Sequence, residues 1–90
     1  MKKPVRLHFT ADPGHGWLHV NRDIARMIMG DDFSKISSCS YQRGATIYLE
    51  EDCDAGYFLK ACKERGVEVD IKVKHYANLA PIRSYNSFFP

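Results

Sequence analysis

Ninety residues, 44% hydrophobic and 27% charged, make one compact domain and leave no room for two independent cores. Thirteen Lys and Arg against eleven Asp and Glu give a net charge of +2, which excludes a polyacidic nucleic-acid mimic and a strongly basic nucleic-acid binder. No apolar run approaches the roughly 18 residues of a membrane span, Pro4 and Arg6 leave no signal-peptide core, and three cysteines are too few for a disulfide scaffold. The expectation is a reduced domain in the cytoplasm, away from any membrane.

Val5, Leu7 and Phe9 alternate with Arg6, His8 and Thr10, the period of a half-buried strand. Asp12-Pro13-Gly14-His15-Gly16 is dense turn chemistry, and Trp17-Leu18-His19-Val20 returns as a second strand. Pairing Thr10 with Trp17 sets Phe9 opposite Leu18 and Leu7 opposite Val20, so those four share one apolar face. Arg6, His8, Trp17 and His19 fall on the other. Asn21 is a good N-cap for a short helix carrying Ile24, Met27 and Ile28, which Gly30 ends. Phe33 and Ile36 anchor an irregular stretch into the core.

Ser38–Gln42, a turn at Arg43-Gly44 and Ala45–Glu50 form a second hairpin. Asp52 is placed to cap a second helix, whose Ala55, Phe58, Leu59 and Cys62 make one apolar stripe closed by Gly66. Val67, Val69, Ile71 and Val73 then alternate with Glu68, Asp70, Lys72 and Lys74, a strand with one buried and one solvated face. The expected fold is a single α+β domain over 1–90 in the order ββαββαβ. Two helices pack on one face of a mostly antiparallel sheet; the aromatic tail 77–90 either covers the sheet, with Ile82–Tyr85 as an added edge strand, or is a loosely attached binding segment. The expected core is Leu7, Phe9, Leu18, Val20, Ile24, Ile28, Phe58, Leu59, Cys62, Val69 and Ile71.

Charge is segregated: residues 1–26 carry +3, 27–56 carry −4 and 57–90 carry +3. The acidic centre is Glu50, Glu51, Asp52 and Asp54. No metal site or cofactor is expected from spacing. His15 and His19 on a strand stand about 13 Å apart, and Cys53 and Cys62 point to opposite sides of a helix. His8 and His19 are cross-strand neighbours without a further ligand, and read as two solvated histidines. Asp12 with His15 could form an acid–base pair, but no nucleophile with an oxyanion donor accompanies them, so no enzyme is expected.

Three stretches carry a resemblance: Asp12-Pro13-Gly14-His15-Gly16-Trp17-Leu18-His19-Val20, Ser40-Tyr41-Gln42-Arg43-Gly44, and Tyr48-Leu49-Glu50-Glu51-Asp52-Cys53-Asp54-Ala55. With the Ile82-Arg83 pair, they make the chain similar to small uncharacterised proteins encoded in bacteriophages and prophages. Asp31-Asp32-Phe33 departs from that pattern. The resemblance implies an accessory protein acting in the cytoplasm of a host bacterium, and it carries over no catalytic residue.

The leading functional expectation is a non-enzymatic inhibitor that binds a host protein or nucleoprotein complex, of the kind that blocks a CRISPR effector or another defence complex. Its partner-binding residues are expected to be the acidic Glu50, Glu51, Asp52 and Asp54 with exposed aromatics Trp17, Tyr85 and Phe88. One alternative is a nucleic-acid-binding accessory protein using Lys2, Lys3, Arg6, Lys72 and Lys74 with Trp17. A further alternative is a small hydrolase built on Asp12, His15 and His19.

Overall fold

The computed structural model describes residues 4–89. It is an α+β domain with β1 (Val5–Ala11), β2 (Gly16–Asn21), α1 (Arg22–Met29), β3 (Tyr41–Arg43), β4 (Thr46–Glu50), α2 (Ala55–Glu64), β5 (Val69–His75) and β6 (Asn86–Ser87). Short 3-10 turns lie at Gly30–Lys35 and Pro81–Ser84. The six strands form one sheet in the order β5-β1-β2-β4-β3-β6. Every pairing is antiparallel except β1 with β5, which runs parallel after the α2 crossover.

The first hairpin has the register that side-chain alternation demands: Phe9 opposite Leu18 and Thr10 opposite Trp17. A slip of one residue would turn every apolar side chain to the wrong face. Leu18 then meets Leu49, and Val20 meets Ile47, on β4. These buried side chains carry both helices: Ala25, Ile28 and Met29 from α1, and Ala55, Phe58, Ala61 and Cys62 from α2. The Asn21 side chain caps α1 by accepting the Asp23 and Ile24 amides, and Gly30 ends it at φ 55°, a backbone that favours glycine.

Two core expectations and one helix cap need correction. Ile24 is exposed because α1 turns Ala25, Ile28 and Met29 inward instead. Ile71 is also exposed, at 39%, because β5 is an edge strand that the helices do not cover. The residue at the start of α2 is Asp54 rather than Asp52, and its side chain makes no capping bond. The Asp54 carboxylate instead accepts the Ser37 amide (3.0 Å) and the hydroxyls of Ser37 (2.8 Å) and Ser40.

Part of the second face of the sheet, around Trp17 on β2 and its neighbours on β3 and β4, is covered as well. From the end of β5 the chain crosses beneath the strands to β6 at the opposite edge. Ala80 and Ile82 pack on Trp17, with Tyr41, Tyr48, Tyr76 and Tyr85 around them. Of the two readings of the tail, the structure has the one that covers the sheet, as a docked strap over residues 76–89. Ile82–Tyr85, the candidate edge strand, falls instead in and just after the 3-10 turn Pro81–Ser84, and only Asn86–Ser87 beyond it pair as β6.

Candidate functional site

The strap, the first hairpin and the end of β4 meet around a cleft of about 370 Å³. It is built first by Asp12. That carboxylate accepts the Gly14 and His15 amides across its own turn, each at 3.0 Å. It also reaches the strap, accepting the Ala80 amide (2.9 Å) and a two-pronged contact from Arg83 Nε (2.6 Å) and Nη2 (2.8 Å). Such a fork fits a carboxylate as a lysine could not. The Arg83 guanidinium holds the Asp12 carboxyl far below the usual carboxylate range. It also lies over the Trp17 ring, 5.4 Å from its centroid. Gly16 is demanded by close packing, since a Cβ there would collide with the Phe9 ring.

Glu50 forms the second wall. Its buried carboxylate pairs with His15 Nδ1 at 3.1 Å through one oxygen and accepts the Asp52 and Cys53 amides through the other. Burial raises its pKa, but the contacts from His15, Cys53 and the two amides outweigh that, so it sits below its ordinary value. Ser40 Oγ accepts the Glu50 amide (3.0 Å) and donates to Asp54, which ties this wall to the start of α2. The neighbouring Cys39 and Glu50 side chains push the Cys53 thiol up to about 12. Tyr41 completes the lining, edge-on to Trp17 at 6.2 Å.

One ring nitrogen of His15 and one carboxylate oxygen each of Glu50 and Asp52 lie within 4.8 Å of one another. They are the described residues that could hold a divalent cation, with the thiols of Cys39 and Cys53 on the same cleft. Within the protein alone, His15 already serves as the hydrogen-bonding partner of Glu50. One polar atom of the cleft is unanswered: the Trp17 Nε1–H is buried without an acceptor.

The expected partner-binding residues divide in two. Glu51 and Asp52 are exposed and Tyr85 is half-buried beside Tyr48, 5.1 Å between ring centroids. Trp17, Phe88, Glu50 and Asp54 are buried, which corrects the expectation that they face solvent. The strap roofs Trp17, Phe88 packs edge-on to Phe33 at 5.7 Å, and the two carboxylates are consumed by internal donors. The hydrolase candidates do not converge either: Asp12 is clasped by Arg83, His15 faces Glu50, and His19 Nε2 hydrogen-bonds to Thr10 at 2.7 Å. Of the basic candidates, Arg6, Lys72 and Lys74 are exposed on neighbouring strands, Lys2 and Lys3 lie outside the described residues, and buried Trp17 offers no stacking face.

Spacing arguments miss the cleft because its pairings are long-range; His15 and Glu50 are 35 residues apart. One signal is present. The motif stretches Asp12–Val20, Ser40–Gly44 and Tyr48–Ala55, with Ile82-Arg83, supply seven of the eight lining residues, Cys39 lying just before the second. No helix among the described residues is long and apolar enough to cross a membrane. No family model matches the chain, and no match was found among curated proteins or solved structures.

Proposed function

We propose that this is a small, non-enzymatic phage-type protein that binds and inhibits a host protein complex through the mouth of the cleft. The observation that carries the reading is the pair Glu51 and Asp52, exposed at the rim beside an interior whose other carboxylates, Asp12 and Glu50, are already saturated by hydrogen bonds. Groups so fully engaged serve to hold shape, whereas the two free rim carboxylates project a local negative field in the −4 segment of the chain. Such a field steers the domain to a basic, nucleic-acid-handling surface and acts mainly on the association rate. Half-buried Tyr85 and Tyr41 supply aromatic area nearby for contacts that slow dissociation. An anti-CRISPR or related anti-defence role in the host cytoplasm is the form of inhibition that the size, charge pattern and phage resemblance favour together.

The test is capture from host lysate with identification by mass spectrometry, followed by kinetics on the captured complex. Glu51→Lys with Asp52→Lys should slow association at least about tenfold and flatten its salt dependence, with the melting temperature unchanged. Association that ignores both substitutions, in a folded variant, refutes the reading. A salt slope that steepens instead, with binding to naked DNA or RNA, would favour the nucleic-acid alternative.

A further inference from the structure

We propose that the free edge of β5 pairs antiparallel with β5 of a second copy of this chain, about a two-fold axis at Ile71, joining two six-stranded sheets into one. The argument begins with the backbone. Val5 donates to the Glu68 carbonyl (2.9 Å) and Tyr76 donates to the Ala11 carbonyl (2.8 Å). In a parallel pair a residue turns its N–H and C=O to the same side, so even-numbered residues of β5 face β1. Val69, Ile71, Val73 and His75 therefore present their N–H and C=O groups at the free edge. β5 ends the sheet, and seven residues is a long edge to leave open.

The side chains continue the case. Opposite β1, Ile71 sits beside Leu7 and Val73 beside Phe9, so the odd-numbered residues extend the core face outward. There they run out of cover: Ile71 is 39% exposed and Val73 is 49% exposed. On the other face stand Glu68, Asp70, Lys72 and Lys74, none of which enters an ion pair among the described residues.

An antiparallel mate must pair odd residues with odd residues, because only those have free backbone groups. With the axis at Ile71, Val69 meets Val73 and Ile71 meets itself, an apolar row that prolongs the core layer. On the opposite face Asp70 meets Lys72 and Glu68 meets Lys74, each twice by symmetry. These charges fall at the non-hydrogen-bonded positions, where side chains approach most closely. Moving the axis by one residue sets Lys72 against itself or Asp70 against itself. In a parallel mate a residue facing its partner strand lies opposite one facing away, which sets odd residues opposite even ones and so apolar side chains against charged ones. A single register satisfies both faces, and it is closed by two-fold symmetry.

Sedimentation or light-scattering measurements on the full chain test the proposal. The wild type should show a concentration-dependent dimer that weakens with salt. Two charge variants, Glu68→Lys with Asp70→Lys and Lys72→Glu with Lys74→Glu, should each raise the dimer Kd at least about tenfold, because every cross-strand pair becomes like-charged. Mixed one to one, they should recover a dimer of one copy each. Ile71→Pro removes only an outward N–H, so it should keep the circular dichroism of the fold and lose the dimer. The proposal is overturned by a wild type still monomeric at about 1 mM, where even a millimolar Kd would leave roughly half the chains paired. It is equally overturned by folded charge variants that dimerise as well as the wild type, by a mixture that does not pair, or by a folded Ile71→Pro variant that remains dimeric.

Discussion

Replacing Asp54 by alanine is the sharpest test of how the cleft is held. The carboxylate is 1% exposed and accepts three hydrogen bonds, from the Ser37 amide and the hydroxyls of Ser37 and Ser40. Hydrogen bonds to a charged acceptor are worth about 1.5–3 kcal/mol each, and a donor left buried without one costs about 1–3 kcal/mol. Relief from burying the carboxylate returns part of that loss, so the net expectation for Asp54→Ala is about 3–5 kcal/mol. A chain of this length has about 5–13 kcal/mol to lose. At about 4–8 °C per kcal/mol, the melting temperature should fall by at least about 12 °C. Asp54→Asn keeps one acceptor oxygen and should cost about 1–2 kcal/mol. Since Ser40 also accepts the Glu50 amide, Ser40→Ala combined with Asp54→Ala should cost less than the two single variants added together, the mark of one network. Thermal melts followed by circular dichroism give all three values. A loss below about 1 kcal/mol in Asp54→Ala would mean that the acid tethers nothing, and the reasoning fails.

Phe58→Ala should cost about 3–5 kcal/mol, since the ring is fully buried between α2 and the sheet; an unchanged melting temperature would contradict the packing. Acidification should destabilise the fold in two phases. Burial, with His8 nearby, holds the His19 imidazole below its ordinary value, so the unfolded chain takes up a proton that the folded one refuses. Stability should therefore decline as pH drops below about 6.5, and His19→Gln should flatten that phase; a wild-type plateau down to about pH 5 would refute it. Asp12 and Glu50, both depressed, hold their contribution above the ordinary carboxylate range and lose it as pH falls from about 4 toward their folded values; Asp12→Asn should shrink this second phase. Cys53 is exposed, yet its thiol is pushed up to about 12. At pH 8 it should alkylate slower than a free cysteine by on the order of a hundredfold, and Glu50→Gln should speed it; mass spectrometry of the labelled peptide reads both.

Local pattern carries the first hairpin, the Asn21 cap, the Gly30 stop and the α2 stripe, because each depends on residues a few positions apart. The alternation in β5 is equally plain, but alternation names a face and not a place in the sheet. Nothing within Val67–Lys74 says that this strand pairs parallel with β1 and ends the sheet, so pattern alone puts Ile71 in the core. The same blindness applies to the tail. Trp17 shares its face with His19, which reads as solvated until a strap from the far end of the chain covers it. Glu50 and Asp54 look like surface charge because their partners His15, Ser37 and Ser40 are remote in sequence. The Asx bonding of the turn at Asp12 is legible locally, while its clasp on Arg83, 71 residues away, has no local signature.

The route of the strap has a consequence for the order of events during synthesis. Domains generally begin to fold from the N-terminus as they leave the ribosome. Here the residues that roof Trp17 and pair with β3 are translated after all the other elements of the domain. A nascent chain stalled before Pro81 would carry Trp17, Tyr41 and Tyr48 uncovered and β3 as a bare edge, the kind of species that associates with its neighbours on a polysome. Completion of the fold therefore waits until the strap, through Phe88, has cleared the ribosome.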